Sequence, residues 1–428
     1  MARKRPPPFQ IDLRVDESDL DGLFSPFDPL NDAVHEPDLP ALPASPGFHD
    51  PIDWAYLKSM GPAYIEDIID HYFRAEIYGA DKVPLEGPLI VAPNHSGTAF
   101  PHDAMVMDYL LWRHQGFHRR AKFRSVFSPK LASVRWMRPF GLDNWWRRCG
   151  GIDMTFDNYD RLLARGEKVI YYPEGIPGIG KGLSKRYQLQ HYYSSFIVLA
   201  ARHDAPIYPV SVVNAEWVNP AGFTFKPIDR FFDRWLGIPF FPIPIMLLVL
   251  VFPFMFYLAF PCKMVFLIGD PIDVRRLLRE VGCLSPSAPQ REEALKAAAH
   301  IRDLAQQQLD EGVLQYGDKP YALRSFYQSM KKLRGRIFRI STLGWPFAYV
   351  QHDRDHQRAP ARNRLHALLR DLDLLAFYLP FGWILLVLFR KLRKPPYGYR
   401  GLTSAERRER EGVYRWSLAT NPLPTRSA

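Results

Sequence analysis

Apolar residues recur along this chain with two periods, and the alternation between them predicts the architecture. Over residues 52–73, Trp54, Leu57, Met60, Tyr64, Ile65, Ile68, Ile69 and Tyr72 return every three or four positions, the stripe of an amphipathic helix or helix pair. Short apolar runs at 89–92, 168–172, 206–213 and 264–268 read instead as strands, and helical spacing reappears at 104–112 and 192–202. Strands alternating with helices imply an α/β domain built on a mostly parallel central sheet flanked by helices. Glu292, Glu293, Leu295, Ala298, Ile301, Leu304 and Leu309 mark a long closing helix over 288–311.

Three stretches break this rhythm. Residues 236–260 contain no charge, a length that could span a bilayer, which needs about 20 apolar residues. Pro239, Pro242, Pro244 and Pro253 interrupt the run, and a lipid-exposed helix so broken would leave backbone groups unpaired. The expectation is a re-entrant or surface-embedded lobe; the plainer alternative is a buried core segment. Residues 372–389 include Asp373, Pro380 and Gly382 and lead into Arg390, Lys391, Arg393 and Lys394, as in a short membrane-inserted hairpin or helix whose basic end meets an anionic surface. Between them, Leu323, Phe326, Tyr327, Met330, Leu333, Ile337 and Ile340 form one stripe amid Arg324, Lys331, Lys332, Arg334, Arg336 and Arg339. That predicts a helix lying in the membrane interface, unless it is an ordinary basic helix packed on the core. The chain thus divides into an acidic, Pro-rich arm (1–50) expected to be extended, an α/β domain (51–316) with an apolar insert at about 236–262, and a basic, membrane-associated C-terminal extension (317–428).

Composition narrows the function. Hydrophobic residues are 47% and charged residues 24% of the 428, which excludes wholesale disorder. The net charge of +11 conceals an asymmetry: residues 1–50 hold ten acids against four bases, so the remainder carries about +17. Such a surface favours anionic partners: membrane, nucleic acid or phosphorylated ligands. No recognised nucleic-acid module occurs, and the apolar segments point to lipid. Cys149, Cys262 and Cys283 fit no metal spacing or disulfide framework, so a reducing, cytoplasmic setting is expected. The basic start Met1-Ala2-Arg3-Lys4-Arg5 runs into Pro6-Pro7-Pro8 without an apolar segment, so no cleavable signal is expected.

The chemistry centres on Asn94-His95-Ser96-Gly97, followed by Pro101-His102-Asp103. A strand delivers His95 to its carboxyl end, where open α/β sheets bind ligands, and a helix starts at or just after Asp103. A neutral imidazole there can take a proton from a hydroxyl attacking a carbonyl, and a nearby carboxylate would fix its tautomer. The alternative for His95 alone is a capping or core histidine. His102 is a rival base, beside Asp103 in sequence.

His95 is not alone. Pro173-Glu174-Gly175 follows the strand at 168–172, and Pro206-Ile207-Tyr208-Pro209-Val210 comes after it. In this order the motifs resemble those of the glycerolipid acyltransferase family, whose best-known members acylate lysophosphatidic acid. The resemblance covers about residues 68–310. It implies acyl transfer from a thioester donor, with His95 and Asp103 as the catalytic pair. It also implies a substrate-binding surface made of Asn94, Ser96, Gly97, Pro173, Glu174 and Gly175, with Glu174-Gly175 on the acceptor side.

The chain departs from the family pattern in three places. The His-to-Asp interval is longer than the usual H-x-x-x-x-D, although a branch of the family with Asn-His-Ser-Gly and a later Pro-x-Asp shares it. The second motif, Gly150-Gly151-Ile152-Asp153, lacks its phosphate-binding Arg. Ile176-Pro177 replaces the usual Thr-Arg after Pro-Glu-Gly. Lys181, Lys185 or Arg186 could substitute as phosphate ligands; otherwise the acceptor is neutral, a mono- or diacylglycerol or another lipid alcohol. Between Asp108 and Asp143 lie Arg113, Arg119, Arg120, Lys122, Arg124, Lys130, Arg135 and Arg138 with no acid. These could hold the phosphates of coenzyme A, an acidic acyl-carrier protein or lipid headgroups, or form a solvated basic face. Oxyanion donors are sought among amides near Gly97 or Gly175.

Gly175-Ile176-Pro177-Gly178-Ile179-Gly180-Lys181-Gly182 approaches a phosphate loop, but Gly182 replaces its hydroxyl residue and Pro177 removes a donor. The spacing of His95, His102 and Asp103 is poor for metal, and no G-x-S-x-G elbow occurs. The expectation is therefore a membrane-associated, monotopic or re-entrant O-acyltransferase on the cytoplasmic face. It would use acyl-CoA or acyl-carrier protein as co-substrate, with no bound cofactor or metal and no nucleic acid. A non-catalytic lipid-binding member of the same fold is the alternative.

Overall fold

The computed structural model describes residues 52–96, 100–127, 148–154, 156–220, 225–236, 241, 243–333, 336–357 and 363–392. The arm 1–50, Gly97, Lys130, Arg135, Arg138, Arg334, Arg393 and Lys394 lie outside them. Among the described residues seven strands form one sheet: β1 (Glu76–Tyr78), β2 (Leu89–Pro93), β3 (Phe123–Phe127), β4 (Ile152–Asp153), β5 (Lys168–Ile170), β6 (Ile207–Val213) and β7 (Val265–Ile268), in the order β1-β7-β6-β2-β5-β3-β4. All pairings are parallel except β6 with β7.

β2 is the middle strand, and both its faces are covered. Leu89 and Val91 enter one apolar cluster, while Ile90 and Ala92 enter another. A strand buried on both sides reads as a continuous apolar run, which is why Leu89-Ile90-Val91-Ala92 is legible. One face is packed by the run 54–72, the helix His102–His114 and the C-terminal helices. The other carries the helices Phe156–Ala164, Ser195–His203, Val274–Glu280 and Arg291–Tyr316.

Several elements differ from expectation. The stripe at 52–73 is an α-helix only over Trp54–Met60, capped by the Asp53 carboxylate accepting from the Tyr56 amide (3.0 Å). It then widens into π-turns at Gly61–Ile65 and Ile68–Tyr72, where Pro62 supplies no backbone donor. The strand at 168–172 stops at Ile170, and the helix foreseen at 192–202 is Ser195–His203. The closing helix is Arg291–Tyr316, opened by a reciprocal capping box between Gln290 and Glu293.

The described residues of the apolar stretch 236–260 divide between core and surface. Its helix Ile243–Val251 and the 3-10 turn Pro253–Tyr257 bury Ile245, Met246, Val249, Phe256 and Tyr257, while Leu247, Leu248 and Phe260 stay exposed. The interfacial helix foreseen at 323–340 is interrupted: Leu323–Lys332 and Ile337–Ile340 are separate. Its stripe splits too, with Leu333 and Ile340 buried and Leu323, Tyr327 and Ile337 exposed. Residues 372–389 form the 3-10 turn Leu372–Tyr378 and the start of the helix Trp383–Leu392. No helix among the described residues is long and apolar enough to cross a membrane. Leu333, Ile340, Trp345, Tyr349, Phe377 and Leu386 of the C-terminal extension join the same cluster as Ile65 and Phe100, so the described parts of 323–392 pack on the α/β body.

Candidate active site

β2 and β5 run parallel with Val91 opposite Ile170. Equal numbers of residues beyond that pair stand His95 and Glu174, so the register itself brings both to the carboxyl edge of the sheet. The helix His102–His114 then places Asp103 in its first turn, where the exposed amides and helix dipole favour a carboxylate. His95 Nδ1 lies 2.8 Å from Asp103 Oδ2, and the same oxygen accepts from the Ser96 amide (3.0 Å). Asp103 is 2% exposed. Burial pushes its carboxyl up, but the His95 ring and the Ser96 and Ala104 amides outweigh burial and hold it below the usual range. An ionised carboxylate at Nδ1 keeps the proton there and leaves Nε2 as the basic nitrogen. The Tyr172 ring packs on the imidazole, centroids 4.2 Å apart.

Glu174 points inward rather than toward an acceptor. It is fully buried; Oε1 accepts from the His95 amide (2.9 Å) and Oε2 from the Gln190 amide (2.7 Å). Burial raises its carboxyl, opposed by Lys181 and by those two amides. The side chain thus pins the main chain that carries the imidazole. Gly175, at φ +54°, starts the helix Gly175–Gly180. Gly178 in that helix closes the packing: a Cβ there would stand 2.8 Å from Glu174 Cβ and 3.2 Å from His95 Cβ. Gly178→Ala is expected to cost about 1–3 kcal/mol of stability through overpacking and to lower turnover by displacing His95. A variant with unchanged urea midpoint and unchanged kcat would refute that tight fit.

The remaining site residues divide. Asn94 extends the β2–β6 pairing with its side chain, Oδ1 accepting from the Val212 amide (2.6 Å) and Nδ2 donating to the Val212 carbonyl (3.3 Å). Pro173 is buried and its carbonyl accepts from the Tyr193 amide (3.0 Å). Ser96 Oγ is buried with no hydrogen-bond partner among the described residues. Gly97 lies outside them. Lys181 was a candidate phosphate ligand, but its side chain is 2% exposed and its ammonium is 3.1 Å from Glu216 Oε1, itself 4% exposed. Burial pulls the ammonium down; Glu216 and Glu174 outweigh it and leave it above the usual lysine range. Arg186 is exposed, its guanidinium over the Trp217 ring at 5.5 Å, and Lys185 is exposed in a 3-10 turn. Lys181 is thus already paired within the protein, and Arg186 lies against Trp217.

The rival base is disqualified. The His102 ring is 1% exposed, wedged among Phe100, Trp345 and Phe73 at centroid distances of 4.7, 5.1 and 5.7 Å. Burial pushes it down to about 3. The unfolded chain takes up this proton near pH 6.5 and the folded chain does not. Its contribution is therefore fully present above pH 6.5 and lost as pH falls toward 3, at up to about 1.4 kcal/mol per pH unit. His102→Leu should flatten the acid limb of stability in urea melts between pH 7 and 5; an unchanged slope would count against the burial argument.

The basic run after Asp108 is largely matched where it is described. Arg113 pairs with Asp70 (2.9 Å), Arg120 with Glu86 (2.7 Å), and Arg124 with Glu167 (2.7 Å). No motif marks the packing roles of Glu216, Gly178 and Tyr172. Only the Glu216–Lys181 pair carries a signal in the sequence, an acid just past the Pro-Ile-Tyr-Pro-Val strand. Among the described residues no group of three His, Cys, Asp or Glu is placed to hold a metal ion.

Comparison with known proteins finds a family model that spans this site. Residues 74–213, which include His95, Asp103 and Glu174, match the family model described as Acyltransferase. Uncharacterized proteins from Mycobacterium bovis and Mycobacterium tuberculosis are each 30% identical over 177 residues, 40% of this chain and 45% of theirs. One from Mycobacterium leprae is 29% identical over 173 residues. The chain thus spans less than half the length of these curated relatives. Among solved structures, the 1-acyl-sn-glycerophosphate (LPA) acyltransferase PlsC from Thermotoga maritima aligns with 59% of this chain and 79% of its own, at 16% identity and a TM-score of 0.35.

Proposed function

We propose that this acyltransferase-family domain, covering residues 74–213, moves a fatty acyl chain from a thioester to a glycerolipid hydroxyl, with His95 as general base. The observation that carries the reading is the buried His95–Asp103 pair at the carboxyl end of the central strand. His95 Nε2 takes the proton from the acceptor hydroxyl as its oxygen attacks the thioester carbonyl. Asp103 remains ionised and stabilises the imidazolium. The tetrahedral oxyanion collapses with cleavage of the carbon–sulfur bond. The leaving thiolate recovers the proton from His95, giving an ester and a free thiol. The donor would be acyl-CoA or acyl-carrier protein, and the enzyme would sit on the cytoplasmic face of a membrane.

A neutral acceptor, mono- or diacylglycerol or another lipid alcohol, is the second reading. It is favoured by the Lys181–Glu216 pair, which leaves that lysine matched before any phosphate arrives. The test measures thiol release and labelled-lipid formation, pairing both donors with lysophosphatidic acid, other lysophospholipids, monoacylglycerol and diacylglycerol. His95-dependent product establishes the activity, and the active acceptor separates the two readings. Lipid uptake without thiol release from any pair would mean a lipid-binding protein instead.

A further inference from the structure

Two segments far apart in sequence meet to form one apolar face. The Phe381 amide donates to the Val251 carbonyl (2.6 Å), and Trp383 Nε1 donates to the Leu250 carbonyl (3.0 Å). These bonds lay the helix Trp383–Leu392 beside the helix Ile243–Val251. Both elements are two-sided. Ile245, Met246, Val249 and Leu386 are buried beneath, while Leu247, Leu248, Phe381, Ile384, Leu385 and Leu388 are each 38–56% exposed. Single exposed leucines are ordinary, whereas a contiguous set marks a surface that meets something apolar.

The border of this face is cationic. Residues 319–352 hold seven Lys or Arg and no acid. Arg324, Lys331 and Lys332 are exposed there beside exposed Leu323, Tyr327 and Phe338; Arg336 is exposed too but pairs with Asp67 (3.0 Å). Phe338 contacts Phe347 (6.1 Å), Phe347 stacks on Tyr378 (5.8 Å), and Tyr378 stacks on Phe254 (5.3 Å), so the basic segment adjoins the apolar face. A second copy of the chain would bring the same positive charge to the contact. An anionic bilayer surface instead satisfies both the leucines and the cations.

We infer that the helices Ile243–Val251 and Trp383–Leu392 form a docking face inserted into one leaflet of an anionic membrane, with the 323–338 segment at the headgroups. At 9 and 10 residues these helices reach about 14–15 Å, half of the hydrocarbon core or less. Beneath the face, the buried Tyr257 ring lies between Phe377 (6.3 Å) and Phe100 (5.3 Å), and Phe100 packs on His102, next to Asp103. The docking face does not rest on the acyltransferase reading.

The test is flotation of the full-length protein with phosphatidylcholine vesicles, with and without about one-third phosphatidylglycerol, set beside turnover of detergent-dispersed substrates. The wild type should float with the anionic vesicles. Leu247→Ser/Ile384→Ser/Leu385→Ser should lose at least tenfold in partitioning, and Lys331→Gln/Lys332→Gln should lose the preference for phosphatidylglycerol. Turnover in detergent should be unchanged in both. A dye on Leu385→Cys, blue-shifted by anionic vesicles, reads the same contact without the triple substitution. Wild-type-like flotation of the serine variant, a dye that does not respond, or lipid-free dimers dissolved by the serine substitutions would each overturn the inference while leaving the enzyme reading intact. Flotation as expected with no turnover anywhere would instead remove the enzyme reading and keep the docking face.

Discussion

His95→Ala should lower kcat by about 10²–10⁴, the range for removing a positioned general base, while acceptor KM moves little. Asp103→Asn should approach the same loss without removing the imidazole. The carboxylate accepts from both the His95 ring and the Ser96 amide at one oxygen. An amide there can present its NH₂ to the imidazole and stabilise the tautomer protonated at Nε2, which cannot serve as the base. Single-turnover thiol release separates chemistry from product release. If His95→Ala kept wild-type turnover in an assay that detects the enzyme, the general-base assignment would be wrong. His102→Leu, by contrast, should change stability more than chemistry, since its ring is enclosed by aromatics.

Glu216→Ala should destabilise the fold by about 3–5 kcal/mol, the cost of leaving a buried charge without its partner. The Lys181 ammonium would lose Glu216, and the Tyr187 amide would lose its acceptor at 3.1 Å. Lys181→Met/Glu216→Leu should recover much of that loss, because replacing both charges by apolar groups of similar volume is often neutral. Urea melts of the singles and the double complete the cycle. Additive losses would mean that the two side chains do not depend on each other. Lys181 also stabilises the charge of Glu174, so Glu216→Ala should disturb turnover indirectly, in step with the loss of fold.

The central strands were legible because burial on both faces leaves a plain signal: β2 and β6 read as apolar runs, and the Arg291–Tyr316 helix as a periodic one. β1 and β4 have three and two residues, too few for any period to register, and β3 fell inside a run read for its charge. The His95–Asp103 pair was legible through motif order; spacing alone left His102 open, and only packing closes that question. The roles of Glu174 and Lys181 were read outward, toward a substrate. Nothing in a linear sequence tells that the partners of Glu174 are the amides of His95 and Gln190, or that Lys181 meets Glu216. The apolar segments illustrate the same limit, since 236–260 divides residue by residue between core and exterior.

The parallel order of the sheet has a consequence for how the protein is made. β2 pairs with β5 through Val91 and Ile170 and with β6 through Ile90 and Ile207, contacts that wait for long stretches of later chain. Closing such distant pairs is slow. Until the ribosome has released β6, the central strand β2 presents a bare edge to its neighbours, the kind of edge that recruits other strands. Nascent chains arrested before Ile207 should therefore aggregate more readily than those arrested after Ile268, where β6 and β7 have already closed that side of the sheet.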